Sequence, residues 1–244
     1  MQFATLIMAA GKGTRMKSDL AKVLHEINGR PMVHYVIDLA RKVGSDKVIL
    51  IIGHQKEKVE ELCRQKNVEF VIQEEQLGTG HAVRMAEPNL QNYNGDVLVL
   101  SGDVPMLTVK TIKKLINTHQ SSGALSTLLT SVLDDPTGYG RIIRGNSGTI
   151  SKIVEHKDAS KDELKINEIN VGIYMFKSRQ LFQTLKQITN ENSQGEYYLP
   201  DVVKIYVDSG EKVVAQLTPT FDETRGINTI EQLKEAETIL FNRG

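Results

Sequence analysis

The sequence predicts an α/β protein in three layers, with helices on both faces of a mostly parallel mixed sheet. Three observations predict it. Short apolar runs alternate with amphipathic helical stretches from the first residues onward. Those runs are solid rather than alternating, as strands buried on both faces are. From about Gly138 the rhythm shifts to a hairpin-like pattern, which marks a smaller lobe folded onto the first sheet. No Pro/Gly/Ser-rich linker or internal repeat divides the two parts, so one continuous domain is expected.

Taken in order, Phe3 to Met8 reads as a buried strand. Pro31 can occupy the first turn of a helix running to about Val43, because it has no N–H to lose there. Val33, Val36, Ile37 and Ala40 share one face of that helix, and Gly44 stops it. Lys47 to Ile52 is a strand, Lys56 to Gln65 a helix, Glu69 to Ile72 a strand and His81 to Ala86 a helix. Asp96 to Leu100 follows as another buried strand. Thr108 can cap the next helix, and Leu125 to Val132 is a fifth strand. Arg141 to Ile143 and Thr149 to Val154 flank Gly145-Asn146-Ser147-Gly148, a β-hairpin turn by composition. Glu168 to Phe176 reads as a strand and Ser178 to Ile188 as a helix. Tyr197 to Val207 is helical in pattern, Val213 to Leu217 is a strand, and Thr229 to Phe241 a final helix.

Composition narrows the function classes. Over 244 residues, hydrophobic residues make up 40% and charged residues 25%, which suits a globular domain and argues against disorder. Thirty basic and thirty acidic residues cancel. A nucleic-acid partner would call for a basic excess, so none is expected, while a local cationic site for one small polyphosphate stays possible. Cys63 is the only cysteine, which excludes an intrachain disulfide and a thiolate cluster; it shares a helical face with Val59 and reads as a buried structural thiol. The first residues lack the basic flank of a signal peptide, and no apolar run reaches membrane-spanning length. A cytoplasmic protein without a membrane partner is the expectation.

The chemistry begins at Ala9-Ala10-Gly11-Lys12-Gly13-Thr14-Arg15-Met16, directly after the first strand. Glycines let a backbone approach phosphate oxygens closely, because no Cβ intervenes and φ > 0 is allowed. Arg15 adds a planar fork of donors and Lys22 a mobile point charge, a combination suited to a triphosphate. The spacing fits neither a Walker A loop nor the dinucleotide fingerprint, which needs Gly where Met16 stands. Ser18 to Lys22 looks extended. The alternative is a tight strand–loop turn with incidental charges.

Other elements carry a similar pair of readings. Asp103, just past a strand end, is either a ligand for Mg²⁺ or an Asx turn before Pro105. Gln73 offers an amide donor and acceptor that match the edge of uracil. Gly78 and Thr79 open a helix with free N–H groups, though Thr79 could be only an N-cap. His81 reads as a surface or core histidine rather than a catalyst, and none of the six histidines has paired metal-ligand spacing. Gly140 can serve a turn, Glu155 can pair with Lys157, and Asn170 can bond local backbone.

Leu6 to Met16, followed by Lys22-Val23-Leu24, resembles the signature of the sugar nucleotidyltransferases. The resemblance continues through Gln73 to Ala82, Gly102-Asp103-Val104-Pro105, Asp135 to Ile142, Glu155 to Ala159, Glu168-Ile169-Asn170 and Gln194 to Tyr198. Together these segments are most similar to the N-terminal uridyltransferase domain of the bifunctional N-acetylglucosamine-1-phosphate uridyltransferases, and the match extends from Leu6 to about Asn228. The opening loop is specific only to the superfamily; the later motifs in this order are much more so.

The resemblance implies a Rossmann-like fold of the nucleotide-diphospho-sugar transferase type. It divides the chain into a nucleotidyltransferase domain over 1–228 and a C-terminal helix over 229–244. Within the domain, about 1–137 would be mainly nucleotide-binding and about 138–228 a sugar-binding lobe. It implies transfer of UMP from UTP to N-acetylglucosamine 1-phosphate, with Mg²⁺ held by Asp103 and Asn228. Arg15 and Lys22 would be catalytic; Ala10, Gly11, Gly13, Gln73, Gly78 and Thr79 would hold the nucleotide; Gly140, Glu155 and Asn170 the sugar. Glu196 and Tyr198 would line or close the sugar site, or else serve as helix-start and packing residues. Ser101 and Val171 depart from the family pattern, which has a bulkier residue and Thr there, so sugar choice is less firmly implied than reaction type. The alternatives are glucose 1-phosphate as acceptor, a cytidylyltransferase, or a catalytically silent nucleotide-sugar-binding module. Because the sequence ends at Gly244 without the acetyltransferase β-helix that builds the relatives' trimer, a monomer or weak oligomer is expected rather than a trimer.

Overall fold

In the computed structural model, which describes residues 2–243, each solid apolar run is a strand of one sheet. In chain order the elements are β1 (Phe3–Ala9), β2 (Glu26–Ile27), β3 (Arg30–Pro31), α1 (Met32–Lys42), β4 (Lys47–Ile52), α2 (Lys56–Cys63) and β5 (Glu69–Ile72). There follow α3 (Thr79–Met85), α4 (Glu87–Leu90), β6 (Asp96–Ser101), α5 (Val109–Ser122) and β7 (Ser126–Val132). The second half adds β8 (Gly140–Arg144), β9 (Ile150–Val154), β10 (Glu168–Lys177), α6 (Ser178–Leu185), α7 (Pro200–Asp208), β11 (Val213–Leu217) and α8 (Ile230–Arg243).

The main path of the sheet is β11-β7-β10-β6-β1-β4-β5, with the β8–β9 hairpin attached to β10. Along that path β10 alone runs against its neighbours; the other adjacent pairs are parallel. Alternate strand residues point to opposite faces. Phe3, Ile7, Val48 and Leu50 therefore join one core with Val33, Val36 and Ile37 of α1, Val59 and Cys63 of α2, and Ile112 and Leu115 of α5. Ala4, Leu6, Ile49 and Val97 join a second core with Val83 of α3, Leu181 and Leu185 of α6, and Val202 and Tyr206 of α7. Helix, sheet and helix make the three layers. Ala236 of α8 closes a third, smaller cluster over Ile27, Met32, Met106 and Ile227.

This order positions the site. From β1 the chain proceeds through β4 and β5 on one side, then returns to place β6 on the other. The crevice between the carboxyl ends of β1 and β6 is thus a switch point, where ligands bind in open α/β sheets. The glycine loop leaves β1 and Gly102-Asp103 leaves β6, both at that crevice. A Cβ on Gly102 would come within 3.2 Å of the Met8 carbonyl oxygen and 3.1 Å of Val23, so glycine lets these two strand ends approach.

Three expected boundaries move. Pro31 lies outside α1 because it pairs with Glu26 in the β2–β3 ribbon. The stretch expected as helix from Tyr197 starts only at Pro200. Tyr197 donates its N–H to Leu77 O at 2.8 Å and accepts from Gly80 N at 2.8 Å, which holds it extended against the head of α3. The segment Ser18 to Lys22 does not stay extended; it bends and enters a 3₁₀ turn over Lys22–Leu24. Elsewhere the expected elements are present with their ends shifted slightly: α6 stops at Leu185 rather than Ile188, and α3 starts at Thr79 rather than His81. Thr108 caps α5 by accepting from Thr111 N at 3.2 Å, the hairpin closes at Gly145 to Gly148, and Cys63 is buried beside Val59. Burial pushes the Cys63 thiol up to about 11.

Candidate active site

The two glycines of the opening loop do different things. A Cβ at Gly11 would meet nothing within 4 Å, so its bare backbone faces open space in the crevice. Gly13 has φ 65° and lies against the stem of Lys22, where a Cβ would be 2.5 Å from Lys22 Cβ. Gly13 therefore seats Lys22, and it is absent from the walls of both cavities described below.

Lys22 is one corner of a polar cluster assembled from three distant parts of the chain. Its ammonium is ion-paired with the Asp103 carboxylate and donates to Asn228 Oδ1 at 2.9 Å. Arg15 Nη2 donates to the same Asn228 oxygen at 2.8 Å. Asn228 is itself held by Gln232 of α8, whose Oε1 accepts from Asn228 N at 2.7 Å. The structure thus brings Arg15, Lys22, Asp103 and Asn228 together. One carboxylate oxygen and one amide oxygen converge on a single cationic point, and such hard oxygen donors suit Mg²⁺. Among the described residues there is no group of three or more His, Cys, Asp or Glu side chains able to hold a metal by itself.

Two cavities open from this cluster. One, of about 250 Å³, is lined by Ala10, Gly11, Gln73, Gly78, Thr79 and Glu196 among others. Gln73, at the end of β5, is buried, and its amide nitrogen donates to Gly78 O at 3.1 Å and to His81 Nδ1 at 3.0 Å. Gly78 adopts φ 107° and ψ 176°, a region nearly closed to other residues, and a Cβ there would sit 2.6 Å from Tyr197 O. Thr79 does not cap α3; its hydroxyl accepts from Leu199 N at 3.0 Å and ties α3 to the head of α7.

The other cavity, of about 490 Å³, is lined by Gly140, Glu155 and Asn170 together with Tyr139, Val171 and Tyr174. Asn170 sits where the β10–β7 register slips between Asn170 and Tyr174. Its Oδ1 accepts from Gly172 N at 3.2 Å and its Nδ2 donates to the Tyr174 hydroxyl at 2.6 Å. The bulge, with Gly172 at φ 77°, aims this strand edge into the cavity. Glu155 faces Gly140, where a Cβ would lie 3.3 Å from its Oε1. No ion pair joins Glu155 to Lys157 among the described residues. Burial first, then the negative charges of Asp158, Asp201 and Glu196, push the Glu155 carboxyl up to about 6. Asp201 is raised for the same two reasons, burial and Asp158.

Glu196 borders the smaller cavity rather than the larger one. Tyr198 is buried outside both; its hydroxyl donates to Asp158 at 3.2 Å and accepts from Gln194 at 2.7 Å. Tyr139, Thr224 and Gln232 line the larger cavity without having been singled out from the sequence. For Tyr139 the signal was its place beside Gly138 and Gly140; Thr224 and Gln232 had none.

A sheet with a switch-point crevice, a glycine loop and convergent cations defines a class, and the comparisons agree. The nucleotidyl transferase family model matches residues 4–222, and the chain belongs to that family. It is 51% identical over 243 residues to the bifunctional protein GlmU of an Exiguobacterium species, covering 100% of this chain and 54% of that protein. Against GlmU of Shouchella clausii it is 52% identical over 238 residues, covering 98% of this chain and 52% of the relative. The chain thus spans about half the length of these relatives. Among solved structures, a UDP-glucose pyrophosphorylase complexed with UDP-glucose superposes with a TM-score of 0.79 at 17% identity, covering 100% of both chains, a likeness of fold. No helix among the described residues is long and apolar enough to cross a membrane.

Proposed function

We propose that this chain transfers a uridylyl group from UTP to N-acetylglucosamine 1-phosphate, giving UDP-N-acetylglucosamine and pyrophosphate. One observation carries the reading: the two cavities share Met8, Lys22, Thr79, Ser101 and Asp103 as a common wall. Two ligands seated in them meet at the Lys22–Asp103 pair, as a triphosphate and a sugar phosphate must. A phosphate oxygen of the sugar phosphate attacks the α-phosphorus of UTP, the new P–O bond forms, and the bond to pyrophosphate breaks. The nucleophile is already an anion at neutral pH, so no residue need act as a base. The chain's work is alignment and charge neutralisation.

Lys22, seated by Gly13, is held at the junction where negative charge accumulates. Arg15 lines the larger cavity and reaches the junction through Asn228. Ala10 and Gly11 offer open backbone to the nucleotide, Gln73 and Gly78 read its base, and Thr79 ties that wall in place. Gly140, Glu155 and Asn170 bind the sugar, the last two through a carboxylate and an amide suited to hydroxyls. Asp103 and Asn228 would hold Mg²⁺, which when bound would neutralise the polyphosphate and the departing pyrophosphate.

Pyrophosphate release from UTP and N-acetylglucosamine 1-phosphate, with Mg²⁺ and with EDTA, tests this reading. Metal-dependent release that favours the N-acetyl sugar over glucose 1-phosphate is expected. Release only with glucose 1-phosphate would overturn the sugar assignment, and release from no pair would overturn the reaction.

A further inference from the structure

The Gln73 amide has less freedom than a base-reading glutamine is usually given. Its nitrogen lies 3.1 Å from the Gly78 carbonyl oxygen, which can only accept, so that end of the amide must be the NH₂. The same nitrogen is 3.0 Å from His81 Nδ1. Both of its hydrogens are then used, and His81 Nδ1 must be the bare, accepting nitrogen of a neutral ring. Only the amide oxygen is left to face the cavity that Gln73 lines. His81 itself is not part of that wall; it stands behind Gln73.

We propose that His81 is a positioning residue that locks the Gln73 amide with its oxygen toward the base, which makes the pocket select a pyrimidine with an N–H at that edge. The inference rests on the reading that the Gln73 cavity takes the nucleotide base. Uracil carries a donor at N3, whereas cytosine carries a lone pair there, which would meet the amide oxygen head-on. A freely turning glutamine could present its NH₂ to cytosine instead; one locked by Gly78 and His81 cannot. Arg84 on the same helix, Glu75 on the loop leading into it, and Tyr197 on the facing segment with its ring 6.4 Å away surround the imidazole. Burial, followed by the nearby Arg84 charge, holds the ring below its ordinary value against the opposing Glu75 carbonyl and carboxylate. This direction favours the neutral ring that the Gln73 NH₂, donating to His81 Nδ1, already requires.

The test compares His81→Ala with His81→Asn, whose Oδ1 can replace the bare Nδ1. Calorimetric binding of UTP and CTP is measured for each, beside KM and kcat for both nucleotides. In H81A the UTP preference over CTP should fall roughly tenfold, the scale of one hydrogen bond, through KM rather than kcat. H81N should restore most of it. In the wild type the preference should weaken as pH falls through the imidazole range, and in H81N it should stay flat. Unchanged preference in H81A, or equal loss in H81A and H81N, would overturn the proposal. So would a wild-type protein that binds the two nucleotides equally. Binding separates this from the reaction itself: a wild type that prefers UTP but releases no pyrophosphate would sink the transfer reading and leave the lock standing.

Discussion

Replacing Glu155 by Gln removes a buried charge while keeping the shape of the side chain, and its effect on stability depends on pH. Burial and three neighbouring carboxylates hold the Glu155 carboxyl at about 6 in the folded protein, against 4.5 in the unfolded chain. Below pH 4.5 the group is protonated in both states and costs nothing. As pH rises, the unfolded chain ionises first; above 6 the folded protein carries a carboxylate that water solvates poorly. The raised value therefore supplies stability that is present at low pH and lost as pH climbs through the folded value, about 2 kcal/mol in all. Urea melts of the wild type and Glu155→Gln at pH 4 and pH 7.5 read it together with its coupling to Asp158, Asp201 and Glu196, while carboxylates remote from the site cancel in the difference. The variant should gain about 2 kcal/mol on the wild type between the two pH values, or about 4–8 °C in melting temperature for a chain of this size. A difference that does not change with pH would refute the argument. If Glu155 binds the sugar as proposed, the same variant should also raise KM for the sugar phosphate.

Gly78→Ala combines a forbidden backbone region with a Cβ 2.6 Å from Tyr197 O, and should lose about 2–6 kcal/mol, a fall on the order of 10 °C by calorimetry. A melting temperature within error of the wild type would show that the Tyr197 segment yields freely. Arg15→Ala and Lys22→Ala should each lower kcat by roughly 10²–10³ while circular dichroism reports an intact fold; near-native turnover in either would remove that residue from the mechanism. Cys63, with its thiol pushed up to about 11 by burial, should resist a thiol reagent at pH 8 until urea unfolds the chain. Rapid labelling of the native protein would contradict its burial.

The strands and most helices were readable because their signal is local. Val33, Val36, Ile37 and Ala40 repeat at helical spacing, and Lys47 to Ile52 is an unbroken apolar run, so either can be recognised without its partners. The misread stretch at Tyr197 shows the limit, since its helical pattern is overridden by backbone bonds to Leu77 and Gly80, more than a hundred residues away. The glycine loop was readable as a phosphate-type turn, but the separate tasks of Gly11 and Gly13 were not. That Gly13 seats Lys22 depends on the 3₁₀ turn carrying Lys22 back against the loop. The stretch Glu168 to Phe176 was readable only as a strand; the β10–β7 register reveals the bulge at Gly172 that aims Asn170.

By itself the sequence determined the three-layer class and, through its ordered motifs, the family, and it supplied the candidates for a phosphate, base and sugar site. The tertiary structure decided which of those residues share a site. Lys22 meets Asp103 across 81 positions and Arg15 meets Asn228 across 213, and no local preference encodes such pairs. Lys22 reaches Asp103 because β1 and β6 lie side by side in the sheet, and Asn228 joins them because the Ile227 N–H donates to Asp103 O at 2.9 Å. The His81 lock on Gln73 has the same origin, since a hydrogen bond depends on distances that appear only once β5 and α3 are packed.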